Sequence, residues 1–530
     1  MNRQSTQVVV VGGSLVGLSA SVFLASRDVE HVVIEKHKGS SLLPRAMGFT
    51  EYTMECYRSV GLWDRIPQSD PGVRLRRRKV ESLAGEWKEE TLWTPGEIDD
   101  QRGRFSPATG AAIPQDKLEP VLRARAVELG AQLRLGHEMI GFTELGEGIE
   151  VHVSDRDSGE EYVVEASYMI AADGARSPIR EKLGIERQGV GYLQTIRTTL
   201  FYCPDAEVYL KSGVQQFDID QPGFQALLTT YQDGRWMLLM GDGEAVSSPD
   251  QQHAAVRRAL GADFPFEIVA SGRWELAGRI ADTYQHSRIF LAGDAAHQLP
   301  PTRGGFGANT GIADVYNLAW KLDMVLRGLA TEELLKTYNS ERQPIGWLRH
   351  QQTFARPDYV KFTGKAMEDV TLYGDVAMEL GQLYRSSAVI GAGPNLPPAK
   401  TPEAWAGQPG VRAPHAWVIY KGKRISTIDL FNRDFVLLSR DPVWREAAKQ
   451  ASVALEISIQ AVIVGEDVLF ESAQDFERLF GLKHGGGSLV RPDGVVCWRT
   501  EERVDRSDNV LIEVVAKVAS AKRSASGRRN

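Results

Sequence analysis

The stretch that decides the fold is Gln7–Gly17, QVVVVGGSLVG. Val8 to Val11 show no polar alternation, the pattern of a strand covered on both faces in a parallel sheet. Gly12 stands where the chain must turn sharply, and Gly17 where a following helix must press on that strand. Leu18, Ala20, Val22 and Phe23 then continue at helical spacing. This is the strand–turn–helix opening of a dinucleotide-binding fold. Ser14 holds the place usual for the second glycine; its Cβ narrows the approach of a pyrophosphate, and its hydroxyl can donate to one. A second apolar run, His31 to Ile34, ends in Glu35, 18 residues past Gly17. That spacing suits a carboxylate receiving an adenosine ribose hydroxyl. A lone glycine string is weak; strand, helix and acid together mark a nucleotide site.

Residues 290–321 read FLAGDAAHQLPPTRGGFGANTGIADVYNLAWK. A buried run, Ile289 to Ala292, ends in Gly293-Asp294. The Pro300-Pro301 turn and a Gly-rich loop follow, then an amphipathic helix. Such a strand–loop–helix sets a carboxylate beside a helix N-terminus whose free N–H groups face an anion or a polarised ring. Asp294 can accept from a polyol chain. Gly304, Gly305 and Gly307 let the backbone lie flat against a planar group. The same letters fit a Gly-rich connector in an ordinary α/β fold, and the N-terminal turn decides between the two.

Tyr168 to Ala172 reads as a third strand, leading into Asp173-Gly174-Ala175-Arg176-Ser177-Pro178-Ile179-Arg180. Here the chain resembles the class A flavoprotein aromatic hydroxylases, the family of para-hydroxybenzoate hydroxylase. The Gly-rich turn, the Asp-Gly segment and the Gly-Asp segment stand in that family's order. Gln115 to Leu122 resembles its helix over the cofactor, and Pro44-Arg45-Ala46 its arginine loop. The resemblance implies one FAD, bound extended. Its adenine end would lie near Glu35 and Lys36, and its pyrophosphate at Gly12, Gly13, Ser14, Val16 and Gly17. Gln115, Asp173 and Gly174 would lie alongside, and the ribityl chain near Gly293 and Asp294. The flavin ring would meet Pro301, Gly305, Phe306, Gly307, Ala308 and Asn309. The resemblance also implies NADPH or NADH as a transient electron donor in a surface groove. The reaction it implies is hydroxylation of a phenolic, polycyclic or heteroaromatic substrate by a flavin hydroperoxide. Arg45 would steer the flavin, and the backbone at Pro300 and Pro301 would contact the hydroperoxide.

The 530 residues suffice for two or three domains with large cores. A net charge of −7 gives no basic footprint for nucleic acid. Cys56, Cys203 and Cys497 form neither a CxxC nor an even framework, which favours a reducing, cytoplasmic setting. No apolar run approaches the ~18 residues of a membrane span, and no basic-then-apolar leader precedes residue 7. No His/Cys/Asp/Glu spacing suggests a metal. The remaining partners expected are O2, a small aromatic substrate and, in a homodimer, a second copy; a monomer is the alternative.

The expected fold class is α/β, in three parts. An FAD-binding Rossmann-like domain takes residues 1–75, 106–185 and 280–390. A mostly antiparallel β-sheet substrate domain takes 76–105 and 186–279. In it, Gly223 to Thr230 and Trp236 to Met240 flank a hairpin turn at Gln232-Asp233-Gly234-Arg235. Residues 331–352 read as a long charged helix. A Pro/Gly-rich linker at 391–408 precedes alternating strand and helix signals at 409–520, and 521–530 is a flexible tail. Strands are expected at Trp417–Tyr420, Ile428–Leu430, Phe435–Leu438 and Ile459–Val464, a helix at Arg445–Leu455 and a hairpin turning at Pro492-Asp493-Gly494. This last unit resembles the thioredoxin-like domain of the phenol hydroxylase and aromatic-polyketide hydroxylase branch, through Tyr384-Arg385-Ser386-Ser387, Arg412-Ala413-Pro414-His415 and Val490-Arg491-Pro492-Asp493-Gly494. Without a CxxC it is structural or dimer-forming.

Gly391-Ala392-Gly393-Pro394 imitates a second fingerprint, but Pro397-Pro398 forbids the helix it must open. No second nucleotide domain is therefore expected. His297 reads as a group satisfying the backbone under the Gly-Asp turn in preference to a base, and Arg176 as an ion-pair partner. Candidate substrate-wall residues are Gln225, Leu227, Thr229, Tyr231, Trp236 and Met240, of which alternation allows only every second one to face a cavity. Two other readings stay open: a flavoenzyme of the same fold performing Baeyer–Villiger or decarboxylative oxidation, and a non-catalytic flavin-binding accessory protein.

Overall fold

The computed structural model describes residues 2–43, 46–69, 76–91, 104–242, 248–301, 306–363, 369–471 and 473–522. The chain opens with β1 (Asn2–Val11), α1 (Leu15–Ala25) and β2 (His31–Glu35), the two strands parallel with Val8 opposite His31. After α2 (Glu51–Arg58) it leaves for a second sheet through β3 (Arg77–Val80) and β4 (Trp87–Thr91). It returns as α3 (Gln115–Glu128), β5 (Gln132–Leu135) and β6 (Glu161–Ala171). Five long β-strands then build most of the second sheet: β7 (Arg187–Tyr202), β8 (Gln216–Gln221), β9 (Phe224–Thr230), β10 (Arg235–Gly241) and β11 (Glu267–Ala281). Between the last two lies α4 (Pro249–Leu260), opened by a capping box of Ser248 and Gln251. Then come β12 (Ile289–Leu291), β13 (His297–Gln298), α5 (Phe306–Leu326) and α6 (Glu333–Phe354).

The first sheet runs β12-β6-β1-β2-β5, with the short Gln285–His286 strand beyond β12 and an antiparallel flap, His137–Glu144 and Ile149–Asp155, on β6. All pairings along β12-β6-β1-β2-β5 are parallel. Val8, Val9 and Val10 are fully buried, because both faces of the sheet are covered. The second sheet runs β13-β11-β7-β10-β9-β8-β3-β4 and is antiparallel except for the β8–β3 pair. One face packs under α4 through Phe217, Trp236, Leu238 and Val256. The other face carries Leu200, Tyr231 and Met237, which pack with Leu43 and Met47 from the first domain.

The C-terminal part contains β14 (Phe435–Ser439), α7 (Val443–Leu455), β15 (Ile459–Ile463), β16 (Gly487–Val490), β17 (Val496–Thr500) and α8 (Ser507–Val518). Its sheet order is β15-β14-β16-β17, with only β14 and β15 parallel. That order is the thioredoxin-like one. Alternation along β14 sends Phe435 and Leu437 toward α7 and α8, and Val436 and Leu438 to the opposite core. Ile428–Leu430 is a correction: Thr427–Leu430 is a 3-10 turn. Ser426 accepts from Ile428 N–H while Asp429 accepts from Ser426 N–H, which closes the turn before a strand can extend.

The expected charged helix also differs from a solvated one. Glu341 and Arg342 of α6 are both buried. Glu341 receives Arg491 at 2.6 and 3.0 Å, Lys321 at 2.9 Å, Asn317 at 2.8 Å and Ser386 at 2.6 Å. Arg491 also binds Asp493, so the Arg491–Gly494 turn is fixed onto α5 and α6. Trp320, Met324 and Leu334 share one apolar core with Phe435, Trp444 and Val515. Arg412 reaches Glu55 of α2 at 2.6 Å, and Trp405 donates to Gly381 O at 2.7 Å, so the 391–408 segment is tied down at its end.

Burial alone would raise the Glu341 carboxyl, but Arg491 and Lys321 outweigh it and hold it well below the ordinary range. Its contribution is therefore complete above the ordinary carboxylate range and drains as pH falls toward the folded value. Glu341→Gln, which leaves Lys321 and Arg491 undercompensated, should cost about 3–5 kcal/mol of stability at neutral pH. Urea unfolding of the full chain measures it; a loss below about 1 kcal/mol would mean that the network is dispensable.

Candidate functional site

The turn after β1 is built from close approaches that only glycine allows. Gly12 has φ +104°, and a Cβ there would lie 2.2 Å from Ala172 O. A Cβ on Gly17 would lie 1.8 Å from Gly12 O. Gly13 N–H donates to Glu35 Oε2 at 2.6 Å, and His37 N–H to Glu35 Oε1 at 2.7 Å, so the acid at the end of β2 sits against the turn. Ser14 is the N-cap of α1 yet makes no capping bond. Its hydroxyl instead donates to Glu119 at 2.7 Å and accepts from Gln115 at 2.8 Å, both on α3. The first-turn N–H groups of α1 thus have no side-chain cap, the condition under which a helix start receives an anion. Lys36 is exposed, with its carbonyl accepting from Arg156. The Val16 side chain fills the space beside Gly293 and Gly311, where added Cβ atoms would lie 2.8 and 2.6 Å from its Cγ2.

The other two fingerprints meet this turn at the C-terminal ends of the strands. Ala172 N–H donates to Val11 O, and Ala292 N–H to Ala171 O. Asp173 Oδ2 accepts from Ser177 at 2.8 Å and from Ile179 N–H at 3.3 Å, while Oδ1 is buried with no partner. Burial raises the Asp173 carboxyl. Gly174 has φ +88° and open space around it. Arg176 is exposed, so the expected ion-pair role is not its own. The bracing residue is Arg180, whose guanidinium donates to Ala295 O at 3.0 Å and to Ala175 O at 3.2 Å.

Under the Gly-Asp segment, Asp314 of α5 accepts from Gly293 N–H at 3.2 Å, pairs with His297 at 2.8 Å and receives Arg342 at 2.8 Å. Burial would raise the Asp314 carboxyl, yet His297 and Arg342 hold it below its usual range. His297 is sealed from solvent and bonds this carboxylate; the backbone group it was expected to satisfy goes to Asp314. Asp294 is half-buried, 3.9 Å from where a Cβ of Gly307 would stand. Pro300 is buried and Pro301 exposed, with its carbonyl accepting from Tyr359 at 3.3 Å. Phe306, Gly307, Ala308 and Asn309 form the first turn of α5, where Ala308 packs on the core. The Asn309 side chain accepts from Thr50 N–H and Thr53 and donates to Gly48 O, stapling α5 to the 48–53 segment. Arg45 and Gly305 lie outside the described residues.

These bonds close a ring. Ser14 meets Gln115, Gln115 N–H donates to Ala46 O at 2.9 Å, Gly48 meets Asn309, and α5 returns to Asp294. Over it stands the second sheet. Thr229 pairs with Met237 and Leu227 with Leu239, so odd-numbered residues share a face on both hairpin strands. Leu227, Thr229 and Tyr231 therefore belong to the face that meets Leu43 and Met47. Trp236 and Met240 do not: both point into the core under α4, where Trp236 donates to Cys203 O. Gln225 shares the parity of Leu227 but is exposed at the far end. The face also carries residues that sequence reading missed: Leu200, Met237, Leu239, and Thr198 with Trp274, whose indole donates to Thr198 at 3.0 Å. The even residue spacing across the turn was the signal available for Met237 and Leu239.

Comparison with known proteins gives a consistent result. A family model described as FAD binding domain matches residues 5–353, and one described as aromatic-ring hydroxylase, C-terminal, matches 406–520. A putative polyketide hydroxylase of Streptomyces halstedii is 36% identical over 97% of each chain. A 4-methyl-5-nitrocatechol 5-monooxygenase of a Burkholderia species is 36% identical over 96% of this chain and 97% of its own. Among solved structures, aklavinone-11 hydroxylase with FAD and aklavinone superposes with TM-score 0.87 at 32% identity, covering 98% of this chain and 100% of the other.

Glu35→Ala tests the turn. The substitution removes an exposed-side acceptor and no buried apolar surface, so the fold should persist. FAD affinity should fall roughly 10- to 100-fold, the worth of a hydrogen bond to a charged group. Ultrafiltration of the flavin at falling protein concentration measures it; unchanged retention would move the adenosine end elsewhere.

Proposed function

This chain belongs to the FAD-binding aromatic-ring hydroxylases, and from that premise we propose that its substrate is a phenol of more than one fused ring. The enzyme is an FAD-dependent monooxygenase using NAD(P)H. The net reaction takes one aromatic C–H, O2, NAD(P)H and a proton to a phenolic C–OH, water and NAD(P)+. When bound, FAD supplies the redox chemistry that divides O2 between ring and water.

The residues present fit that cofactor. Gly12, Gly13 and Gly17 let the turn close on Ala172, Glu35 and the start of α1, where any Cβ would clash. Asp173 Oδ1 is a buried acceptor without a partner, and the start of α1 has no side-chain cap. In this reading Glu35 holds the adenosine end, the α1 turn the pyrophosphate, and Asp294 the ribityl chain. Gln115 roofs the turn through Ser14. The backbone at Pro300 and Pro301 and the first turn of α5 border the reacting edge.

The observation that supports a fused-ring substrate is the inner sheet face. Leu200, Met237 and Leu239, with Leu227 beside them, present apolar side chains over three adjacent strands opposite Leu43 and Met47. Such a wall excludes water and holds a flat apolar body by area, while Thr198, Thr229 and Tyr231 leave few polar groups to fix its orientation. Two similar chains, named tetracenomycin B2 and A2 monooxygenase-dioxygenases, are each 35% identical.

The test is a panel of one-ring, two-ring and four-ring phenols supplied with NADPH to the full chain under labelled O2. Fused-ring phenols should speed NADPH oxidation and gain one labelled oxygen. If only single-ring phenols do so, the substrate class is wrong. A product carrying the label inside an expanded ring or lactone would make the reaction a Baeyer–Villiger insertion.

A further inference from the structure

The substrate sheet is fastened over the candidate flavin site at two unlike corners. At one, β13 belongs to the Gly-Asp loop itself and pairs with β11 as Arg279↔Gln298 and Ile280↔His297. At the other, the β9–β10 hairpin tip reaches the first turn of α3, where Arg235 Nη1 donates to Asp116 Oδ2 at 2.7 Å. The apolar wall lies between these corners. We propose that Arg235 and Asp116 are a positioning pair, a side-chain latch that holds the wall closed over the flavin.

Three observations carry this. The first is how the latch is aimed. Asp233, two residues away in the same turn, takes Arg235 Nε at 3.0 Å and Nη2 at 2.8 Å, which leaves Nη1 directed at Asp116. The second is what the latch connects. Arg235 lies 5.0 Å from the centroid of the Tyr231 ring, and Tyr231 packs on the wall with Leu200 and Met237. Asp116 follows Gln115, whose amide bonds Ser14 in the glycine turn and whose N–H bonds Ala46 O. Displacing the tip therefore loosens the wall and the roof of the pyrophosphate turn together. The third is strength. The side chains are 17% and 18% exposed, so the pair is shielded enough to hold yet lies at an accessible rim. The opposite corner is backbone pairing continuous with the fold. If either corner opens to admit a substrate, it is the one closed by side chains, the Arg235–Asp116 pair beside the packing of Tyr231 and Met237 on Leu43 and Met47.

The inference rests on the flavin lying between the two corners, and the experiment separates the two claims. The FAD-loaded full chain is compared with Asp116→Asn, Arg235→Gln and the exchanged pair D116R/R235D. Asp116→Asn keeps the side chain's shape and leaves Arg235 paired with Asp233, so no bare charge is created. Three readouts are used: iodide quenching of flavin fluorescence, hydrogen peroxide released per NADPH in air without substrate, and thermal unfolding. Each single variant should raise the quenching constant and the peroxide leak about threefold with little change in unfolding temperature, and the exchanged pair should recover most of both, as a coupled pair requires. Unchanged quenching in the single variants, or no recovery in the exchanged pair, would overturn the latch. Purification without flavin would overturn the site beneath it. Should the variants fail to fold, hydrogen exchange of the wild-type chain decides. In roughly 0.5 M salt, amides at 235–238 should exchange faster while Ile280 does not, because salt screens an ion pair at the rim and spares backbone pairing; equal behaviour at both corners would sink the idea.

Discussion

Everything in this molecule is arranged around backbone atoms that touch at the end of β1. A Cβ on Gly17 would lie 1.8 Å from Gly12 O, and one on Gly12 would lie 2.2 Å from Ala172 O. Without those contacts α1 could not lie against the sheet, and the Asp-Gly segment could not reach the first turn. A second close approach continues the first. Gly311 of α5 would place a Cβ 2.8 Å from Gly293 Cα, and Val16 fills the only space left between them. Two helices and three strand ends are thereby drawn to one point. Their unpaired N–H groups and the Glu35 and Asp173 carboxylates are what that point offers a ligand. The fold makes the site by leaving side chains out.

What keeps these pieces from sliding is charge buried in α6. Two neighbouring residues take different partners. Glu341 reaches outward in sequence to Arg491, 150 residues away, and to Lys321 on α5. Arg342 reaches inward to Asp314, which in turn holds Gly293 and His297, and also bonds Tyr384 at 2.6 Å. The C-terminal thioredoxin-like unit and the Gly-Asp loop are thus tied to consecutive residues of one helix turn. Replacing such charges with apolar groups can leave stability unchanged, whereas removing one partner is costly. The arrangement therefore acts as a constraint on geometry: each pair has one register in which all its bonds are made. It also explains how a unit without a redox CxxC contributes, by bracing the helix that holds the Gly-Asp loop.

The parts of this structure legible in the sequence are those whose cause is local. A glycine required by a turn, a valine run in a strand covered on both faces and a Pro-Pro break carry their reasons within a few residues, so β1, β2, β6, β12, the turns that follow them and the β9–β10 hairpin could be read directly. The parts that could not be read depend on distant partners. Glu341 and Arg342 look like the polar face of a solvated helix until Arg491 and Asp314 are brought to them. Nothing near Asn309 in sequence announces its bonds to Gly48 and Thr53. Trp236 and Met240 read as wall residues alongside Leu227 and Thr229 from sequence alone, but the face of a strand is set by register, and here Thr229 opposes Met237. A shift of one residue moves every side chain to the other face. In the Asp-Gly segment, bracing falls to Arg180 and not to Arg176, because Arg180 is buried and Arg176 exposed.

One strand shows why site and wall cannot be treated as separate modules. His297–Gln298 is at once the end of the Gly-Asp loop and the edge strand of the substrate sheet. Its His297 side chain is held by the same Asp314 that fixes Gly293 N–H. Any movement of that edge would be transmitted to the backbone beside Asp294, so this side of the cavity is as rigid as the cofactor loop. Freedom to fit differently shaped rings must come from the other side, from residues whose changes leave the loop untouched. Leu200, Met237, Leu239 and the Thr198–Trp274 pair are of that kind: they line the inner face, lie on strands two or more places from the fixed edge or bond only each other, and none holds the cofactor ring of contacts. A fold that fixes the oxidising end and leaves the opposite wall to vary can keep one chemistry while its substrates change.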